Sequence, residues 1–198
     1  MRSQAGRKDW ACSITRFAGR ILLSPFFRLK TDGTENLPKD SAFTLLPKHQ
    51  RWEDIPLLAL AAPRPLYYVA KQELFTNPLA NWYLRSVGGI PLNRKRPLES
   101  RRSIKALIEL LKKGEGIVVF PEGTYYKSRM GPGRTGMVRL ILSRLKVPFI
   151  PVGINYSREG ARTLVSIRFG RTVYGDSSAP AGEFLDHVMK EIKQLSGM

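Results

Sequence analysis

The amino-acid sequence predicts a single α/β domain, in which a largely parallel central sheet is flanked by helices and preceded by an N-terminal amphipathic helix. The chain has 198 residues, enough for one full-sized core, and its 42% hydrophobic and 10% aromatic content excludes a disordered protein. Beyond residue 30, short apolar strands alternate with helical patterns, as they do in layered α/β folds. No repeat or linker divides the chain. We therefore expect an N-terminal segment over residues 1–30 and one domain over residues 31–198.

The first predicted element is a basic amphipathic helix that ends near Ser24 and Pro25. At the helical period its apolar side chains fall within an arc of roughly 140°, with Arg16 and Arg20 on the opposite side. The apolar set is Trp10, Ile14, Phe17, Ala18, Ile21 and Leu22. Such a helix either docks its apolar face on the protein core or lies in a membrane interface with its arginines toward anionic headgroups. The pattern is compatible with both arrangements.

The remaining elements follow from apolar runs and helix-stop signals. Predicted strands cover residues 42–46, 66–70, 89–92, 117–120, 149–152 and 163–169, and predicted helices cover residues 55–62, 73–87, 98–113, 137–145 and 183–195. Helix 98–113 has the clearest pattern, since its apolar residues share one face and Gly114 ends it. Pro78 interrupts helix 73–87. The continuous apolar run at 117–120 is typical of a strand covered on both faces.

The charge indicates an anionic partner. Lys and Arg number 33 against 16 Asp and Glu, which gives a net charge of +17. Nucleic acid, an anionic membrane surface and phosphorylated small molecules are the ligand classes that fit this charge.

One cysteine excludes an intramolecular disulfide, and with only two histidines we expect no metal site and no cofactor. The longest apolar run, Ile55–Pro63, is far shorter than the span of about 20 residues that crosses a bilayer, and no signal peptide is recognisable. We therefore expect the protein on the cytoplasmic side, without a transmembrane span.

A polar loop after the strand 42–46 contains the first candidate site. His49 lies directly after that strand, where α/β folds place their functional residues, and Asp54 follows five positions later at the start of a helix. In a loop that enters a helix, the carboxylate can accept from one ring nitrogen, fix the tautomer and stabilise the imidazolium. Alternatively His49 is an ordinary loop histidine and Asp54 is a helix cap ahead of Pro56. The spacing alone leaves both interpretations open.

Three further patterns are weaker. The turn Phe120–Thr124 follows a strand and offers a carboxylate, backbone N–H groups and a hydroxyl, although a simple turn around Gly123 explains it as well. The segment Gly131–Gly136 matches a dinucleotide-binding pattern, but no strand directly precedes it. The basic residues between Arg94 and Lys105 could track phosphates of a nucleic acid, yet a solvated helix face is the commoner explanation.

Taken in order, these segments resemble the lysophospholipid acyltransferase family, whose best-known members are the 1-acylglycerol-3-phosphate O-acyltransferases. The resemblance runs from about residue 30 to 156. The segments that match the family's conserved blocks are Lys48–Asp54, Val69–Leu74, Gly88–Arg94, Phe120–Tyr126 and Val147–Val152. Two residues depart from the family pattern: Tyr125 replaces an arginine that helps to hold the acceptor phosphate, and Arg51 replaces a small residue of the first block.

The resemblance implies transfer of a fatty acyl group from acyl-CoA or acyl carrier protein to the hydroxyl of a lysophospholipid in phospholipid biosynthesis. It also implies site residues. His49 is the general base that Asp54 orients, Lys71 and Arg94 bind the acceptor phosphate, and the turn of Glu122, Gly123 and Thr124 positions the acceptor. Residues 1–30 then become a membrane-docking segment on a peripheral or monotopic enzyme, and residues 31–198 the acyltransferase domain.

Other functions fit parts of the same pattern. Tyr125 motivates an acceptor other than lysophosphatidic acid, such as another glycerolipid or a lyso-aminolipid. A non-catalytic binder of anionic lipid or nucleic acid is supported by charge alone, and nucleic acid is not an expected partner of the family. The sole cysteine and His187 lie outside every matching block, so we expect direct transfer without a thiol acyl-enzyme.

Overall fold

The computed structural model describes residues 6–93, 100–175 and 180–198. The helices are α1 Asp9–Leu23, α2 Asp54–Ala61, α3 Pro78–Ser86, α4 Arg101–Lys112, α5 Thr135–Leu142 and α6 Ala181–Leu195. The strands are β1 Phe27–Asp32, β2 Phe43–Pro47, β3 Tyr67–Lys71, β4 Gly89–Leu92, β5 Gly116–Val118, β6 Phe149–Glu159 and β7 Arg162–Phe169. Short 3-10 helices cover Thr34–Asn36 and Gln72–Phe75.

The strands form one seven-stranded sheet in the order β1-β7-β6-β2-β5-β3-β4. Strands β2 to β6 run parallel to one another, whereas β7 returns antiparallel to β6, and β1 pairs parallel with β7. The carboxyl ends of β2, β3, β4, β5 and β6 therefore meet at one edge of the sheet. In parallel sheets this edge is where functional side chains collect. The predicted α/β fold with a largely parallel sheet is confirmed.

Helices cover both faces of the sheet. Buried side chains of α4, α5 and α6 form a core on one face, and Leu57 and Leu58 of α2 belong to the core on the other. Because both faces are covered, the central strands are apolar on both sides, as Phe43–Pro47 illustrates: every residue of this strand is buried. A sheet held in this way provides a rigid frame for the loops at its carboxyl edge.

The structure differs from the predicted elements at three places. Strand β1 was not predicted, because Arg28, Lys30 and Asp32 alternate on an exposed edge strand and leave no apolar run. The boundary placed between residues 30 and 31 falls within this strand. Strand β6 continues well beyond the apolar run at 149–152 to Glu159. Helix 73–87 is divided into the 3-10 helix Gln72–Phe75 and α3, because Pro78 begins a new helix that Asn77 caps.

Helix α1 contacts the domain through its small side chains. Ala11 and Cys12 are buried, and the backbone N–H of Lys8 donates to the carbonyl of Ser86 at 2.8 Å. The large apolar residues point away from the protein, with Phe17 and Leu22 both 68% exposed. The sequence left two arrangements open for the apolar face of this helix. The structure excludes the one in which that face docks on the core. Within the described ranges, no helix is long and apolar enough to span a membrane.

Candidate active site

The candidate active site is formed where β2 ends and the loop to α2 begins. His49 Nδ1 lies 3.0 Å from Asp54 Oδ2, which brings the two residues singled out in the sequence into direct contact. The same carboxylate oxygen accepts hydrogen bonds from the backbone N–H groups of Gln50 at 2.6 Å and Arg51 at 2.8 Å. The loop therefore wraps around the fully buried carboxylate of Asp54. Since a carboxylate accepts, Nδ1 of His49 carries the proton and Nε2 is left free to accept one.

Two aromatic rings hold the imidazole. Phe120 stacks on the His49 ring with centroids 3.8 Å apart and an angle of 24° between the planes. Tyr125 contacts the ring edge-on at 4.4 Å. Both come from the segment after β5, so the two sequence blocks that carry His49 and Phe120 meet in space. The ring is nearly buried, which restricts access to its reactive nitrogen to a ligand that fits the site.

Tyr156 is a site residue that the sequence reasoning missed. Its hydroxyl donates to Asp54 Oδ1 at 2.5 Å, so the second carboxylate oxygen is also engaged. Burial raises the pKa of Tyr156, and the neighbouring Asp54 raises it further. The hydroxyl thus stays protonated and keeps its donor role. Tyr156 lies 102 residues from Asp54 and on the part of β6 that extends past its apolar run, so no local pattern pointed to it.

A buried ion pair lies beneath the histidine. Lys48 Nζ donates to the two carboxylate oxygens of Glu122 at 2.9 and 2.8 Å and to the carbonyl of Tyr126 at 2.8 Å. Glu122 also accepts from the backbone N–H groups of His49 at 2.9 Å and Gly131 at 2.6 Å. Both side chains are fully buried. Burial lowers the pKa of Lys48, and the hydrogen bonds to Glu122 oppose that shift.

The structure gives Glu122 a structural contact, and the substrate-binding role that the resemblance implied for it stays a prediction. Its carboxylate has no exposed surface, and its oxygens already accept from Lys48, His49 and Gly131. The residue fixes the backbone of His49 and joins the loop after β2 to the segment after β5. Gly131 has to be glycine, because a Cβ atom there would collide with the ring of Tyr126. Of the glycine pattern at 131–136, Gly131 thus belongs to this internal contact, whereas a Cβ atom at Gly136 would meet open space.

Three other predicted site residues, Lys71, Gly123 and Thr124, lie at the same sheet edge. Lys71 is exposed at the end of β3. Gly123 is buried in the turn after β5 with a φ of 71°, a backbone conformation that favours glycine, and Thr124 beside it is half-buried. Arg94 lies outside the described residues. Substrate-binding roles for Lys71, Arg94, Gly123 and Thr124 stay predictions.

An apolar cavity of about 390 Å³ adjoins the site. Phe120, which stacks on His49, forms part of its wall. About half of the other lining residues are aliphatic, and Asn93, Ser100, Arg134 and Arg139 contribute polar groups. The aliphatic lining comes from Val69, Leu92, Ile104, Val119, Met137 and Leu140. A cavity of this size and lining can hold a hydrocarbon chain, and it shares Phe120 with the surroundings of His49.

The fold and this site together define an α/β domain with a hydrogen-bonded histidine–aspartate pair and an apolar cavity at the carboxyl edge of its sheet. The chain belongs to the acyltransferase family, whose model matches residues 28–155. The crystal structure of the 1-acyl-sn-glycerophosphate (LPA) acyltransferase from Thermotoga maritima is similar over 94% of this chain and 80% of that chain, with a TM-score of 0.72 and 25% sequence identity.

Curated relatives carry related names. A 1-acyl-sn-glycerol-3-phosphate acyltransferase from Bacillus subtilis is 35% identical over 67% of this chain, which spans 65% of that protein. A chloroplastic enzyme of the same name from Brassica napus is 32% identical over 74% of this chain and 42% of its own length. A lyso-ornithine lipid O-acyltransferase from Pseudomonas aeruginosa is 37% identical over 57% of this chain and 42% of its own. The chain thus spans less than two-thirds of each of these three relatives.

Proposed function

We propose that the chain is an O-acyltransferase that moves a fatty acyl group from an acyl thioester to the free hydroxyl of a lysophospholipid such as 1-acylglycerol-3-phosphate. The observation that carries this proposal is the His49–Asp54 hydrogen bond at the sheet edge, with the apolar cavity directly behind Phe120. The names of the relatives point to the same reaction. Acyl-CoA and acyl carrier protein are the two candidate donors.

The geometry supports direct transfer in a complex of both substrates. His49 Nε2 accepts the proton of the acceptor hydroxyl while its oxygen attacks the thioester carbonyl carbon. Asp54, bonded to Nδ1, stabilises the imidazolium that forms. The tetrahedral intermediate then collapses: the carbon–sulfur bond breaks, the new ester remains, and the leaving thiolate recovers the proton from His49. The sole cysteine, Cys12, is buried in α1 and has no part in these steps.

The acyl chain has a place in this scheme. Its hydrocarbon tail would occupy the apolar cavity, and its thioester would lie beside Phe120 and His49. Lys71, Arg94, Gly123 and Thr124 are the groups that we assign to the acceptor headgroup.

A panel of acceptors tests the function. We expect the purified chain to release thiol from acyl-CoA or acyl carrier protein when a lysophospholipid is supplied, and not with donor alone. Absence of turnover with both donors and with every glycerolipid and lyso-aminolipid acceptor would favour a non-catalytic binder of anionic lipid.

A lyso-aminolipid acceptor is the second candidate. Tyr125 occupies the position of the family arginine, contacts His49 edge-on, and cannot replace a bidentate guanidinium. The similarity to the Pseudomonas lyso-ornithine lipid enzyme adds weight to it. We expect Tyr125→Arg to lower the KM for lysophosphatidic acid by about tenfold, the effect of one added charge-assisted hydrogen bond, with little change for the uncharged 1-acylglycerol. An unchanged ratio of the two KM values would show that Tyr125 does not determine acceptor choice.

Removal of the Tyr156 hydroxyl tests its positioning role. We expect Tyr156→Phe to lower kcat by about tenfold, because one hydrogen bond that holds Asp54 is lost while the ring still packs. The pH profile of kcat should shift as well, since the charge on Asp54 is less well stabilised. A purely structural role would instead lower the melting temperature and leave the pH profile of the folded fraction unchanged.

We also propose that the protein docks on a membrane through an apolar patch on α1 and α3. The patch consists of the exposed apolar side chains of the two helices, namely Trp10, Ile14, Phe17, Ile21 and Leu22 of α1 and Leu79, Trp82 and Tyr83 of α3. Lys8 connects the two helices, because its Nζ lies 5.8 Å from the ring centre of Trp10 and 5.5 Å from that of Trp82. So large an exposed apolar surface indicates a binding face, and the lipid substrates reside in a membrane.

The basic residues around the patch contribute less than the sequence predicted. Arg7 is ion-paired with Glu115 at 3.0 Å, and Arg16 donates to the carbonyl of Ala62 at 2.8 Å, so neither guanidinium faces lipid headgroups. Lys8 and Arg20 remain exposed. The salt-sensitive part of membrane binding should therefore be small, at about 1 kcal/mol for each basic residue near the surface.

Glutamate substitutions in the patch test the docking proposal. We expect the triple variant of Ile14, Phe17 and Ile21 to glutamate to lose binding to anionic vesicles and activity on vesicle-borne acceptor. Activity on a dispersed short-chain acceptor should persist, because these side chains make no core contact. A control places three glutamates at the exposed positions Ser143, His187 and Gln194 and should keep vesicle binding. Loss of both activities together with a lower melting temperature in the patch variant would contradict the proposal.

A further inference from the structure

A second cavity, of about 380 Å³, opens on the other side of the candidate site, where β6 turns into β7. Its wall includes Arg51, Tyr156, Arg158, Arg162 and Thr163. We refer to it as the arginine cavity. The family's sequence blocks do not predict this cavity. Arg51 departs from the first block, and the turn between β6 and β7 lies beyond residue 155, where the family match ends.

The structure records no carboxylate partner for Arg51 or Arg158 among the residues that it describes. Arg51 lies over the ring of Tyr156, with its guanidinium carbon 4.4 Å from the ring centre, and Arg158 Nε donates to the carbonyl of Gly160 at 3.4 Å. Glu159, the next residue of β6, pairs instead with Arg28 at 3.1 Å.

Burial raises the pKa of Tyr156 in the cavity wall, and two acidic side chains, Asp54 and Glu53, raise it further. Among the described residues, Glu53 forms no ion pair with Arg51 or Arg158. Asp54 is fully buried and already accepts from the backbone of Gln50 and Arg51, from His49 and from Tyr156. Among the described residues, the cavity therefore offers guanidinium N–H donors that form no ion pair with a carboxylate. Guanidinium forks of this kind match the oxygens of a phosphate, which they can bind in bidentate fashion.

The position of the arginine cavity relates it to the reaction. Tyr156 forms its wall and donates to Asp54, which contacts His49, so the cavity lies two side-chain contacts from the reactive imidazole. It lies on the β6 side of β2, whereas Lys71 lies on the opposite side, at the end of β3.

We propose that Arg51 and Arg158 form an anion site that binds a phosphate group of one of the two substrates. The identity of that ligand rests on the proposed function, and its two possible sources are the donor and the acceptor. Binding here holds the reacting end of the substrate beside His49. Arg51 thereby restores the phosphate contact that Tyr125 cannot make, or it holds the phosphates of the donor.

Calorimetric titration of the full chain tests the site without turnover. The probes are coenzyme A and 1-hexanoylglycerol 3-phosphate, with pantetheine and 1-hexanoylglycerol as their analogues without phosphate. We expect Arg51→Gln and Arg158→Gln each to lower the affinity for one of the two phosphorylated probes by about tenfold, the effect of one lost charge-assisted hydrogen bond. Arg144→Gln is the matched control, because this exposed arginine lies just after α5, whose buried residues pack on the other face of the sheet. It should bind both probes as the native chain does.

Each outcome decides the proposal. Loss of coenzyme A binding assigns the site to the donor, and loss of 1-hexanoylglycerol 3-phosphate binding assigns it to the acceptor. The proposal is overturned if the native chain binds neither probe, or if the double arginine variant binds both within about twofold of native. It is also overturned if the double arginine variant binds both probes as the native chain does and loses only its binding to anionic vesicles. If one of these contrary results is found while the native chain still releases thiol, the anion site is rejected and the acyltransferase function is retained. If binding depends on the arginines but no thiol is released, the anion site is retained and the acyltransferase function is rejected.

Discussion

Replacement of His49 by alanine is expected to lower acyl transfer by about 10²–10⁴-fold, the usual contribution of a general base. The structure gives this imidazole an orienting carboxylate and two ring contacts. Asp54→Asn should also cripple the reaction. An amide at that position would lose the charge that stabilises the imidazolium, and its N–H groups would oppose the backbone donors of Gln50 and Arg51.

The measurement is the rate of thiol release by purified, folded variants at saturating donor. His187→Ala serves as the control, because His187 is exposed on α6 and should stay near the native rate. A folded His49→Ala variant that retained more than about a tenth of native activity would show that another group accepts the proton.

Loss of the buried lysine is expected to have the largest effect on stability. Lys48→Met leaves Glu122 buried without its cation, and we expect the free energy of unfolding to fall by about 3–5 kcal/mol. Because Glu122 also holds the backbone N–H of His49, activity should fall at temperatures where the variant remains folded. Urea unfolding monitored by tryptophan fluorescence measures the change, with the slope of the transition as a check on two-state behaviour.

An exposed ion pair of the same type provides the control. Lys112 contacts Glu109 at 3.2 Å on the surface of α4, with both side chains about half exposed. Lys112→Met should change the free energy of unfolding by less than about 1 kcal/mol, as exposed pairs do. If Lys48→Met proved as mild as Lys112→Met, the pair with Glu122 would not be what joins the two loops.

The sequence predicted the fold and the central pair well, for physical reasons. The central strands are apolar on both faces, so each left a recognisable run, and the loop that joins His49 to Asp54 is short enough for local geometry to bring them together. Strand β1 was missed because Arg28, Lys30 and Asp32 leave it polar at the sheet edge. A strand held mainly by backbone pairing to β7 carries no such signature.

The site residues that the sequence could not assign depend on contacts between distant segments. Tyr156 and Asp54 are joined only by the topology that places β6 beside β2. A motif records a residue type and not its burial, so it could not indicate that the Glu122 carboxylate lies in a buried ion pair. Its partner, Lys48, lies 74 positions earlier in the chain, and only the folded structure brings the two charges together.

The N-terminal helix illustrates a different limit. Its period identified the apolar face correctly, but the direction of that face depends on the partner that covers it. The small residues Ala11 and Cys12 pack against the domain, and the large residues Phe17 and Leu22 remain outside. Helical periodicity cannot distinguish these two faces when the opposite side is formed by small side chains.

Direct transfer at His49 is tested most directly by following an isotope-labelled acyl group from its thioester donor. The native chain, incubated with donor and lysophospholipid vesicles, should place the label in a diacyl lipid, and intact-protein mass spectrometry should find no labelled protein when the acceptor is left out. His49→Ala should form neither product at a measurable rate. Labelled protein with donor alone, or a labelled lipid formed equally well by His49→Ala, would contradict the account.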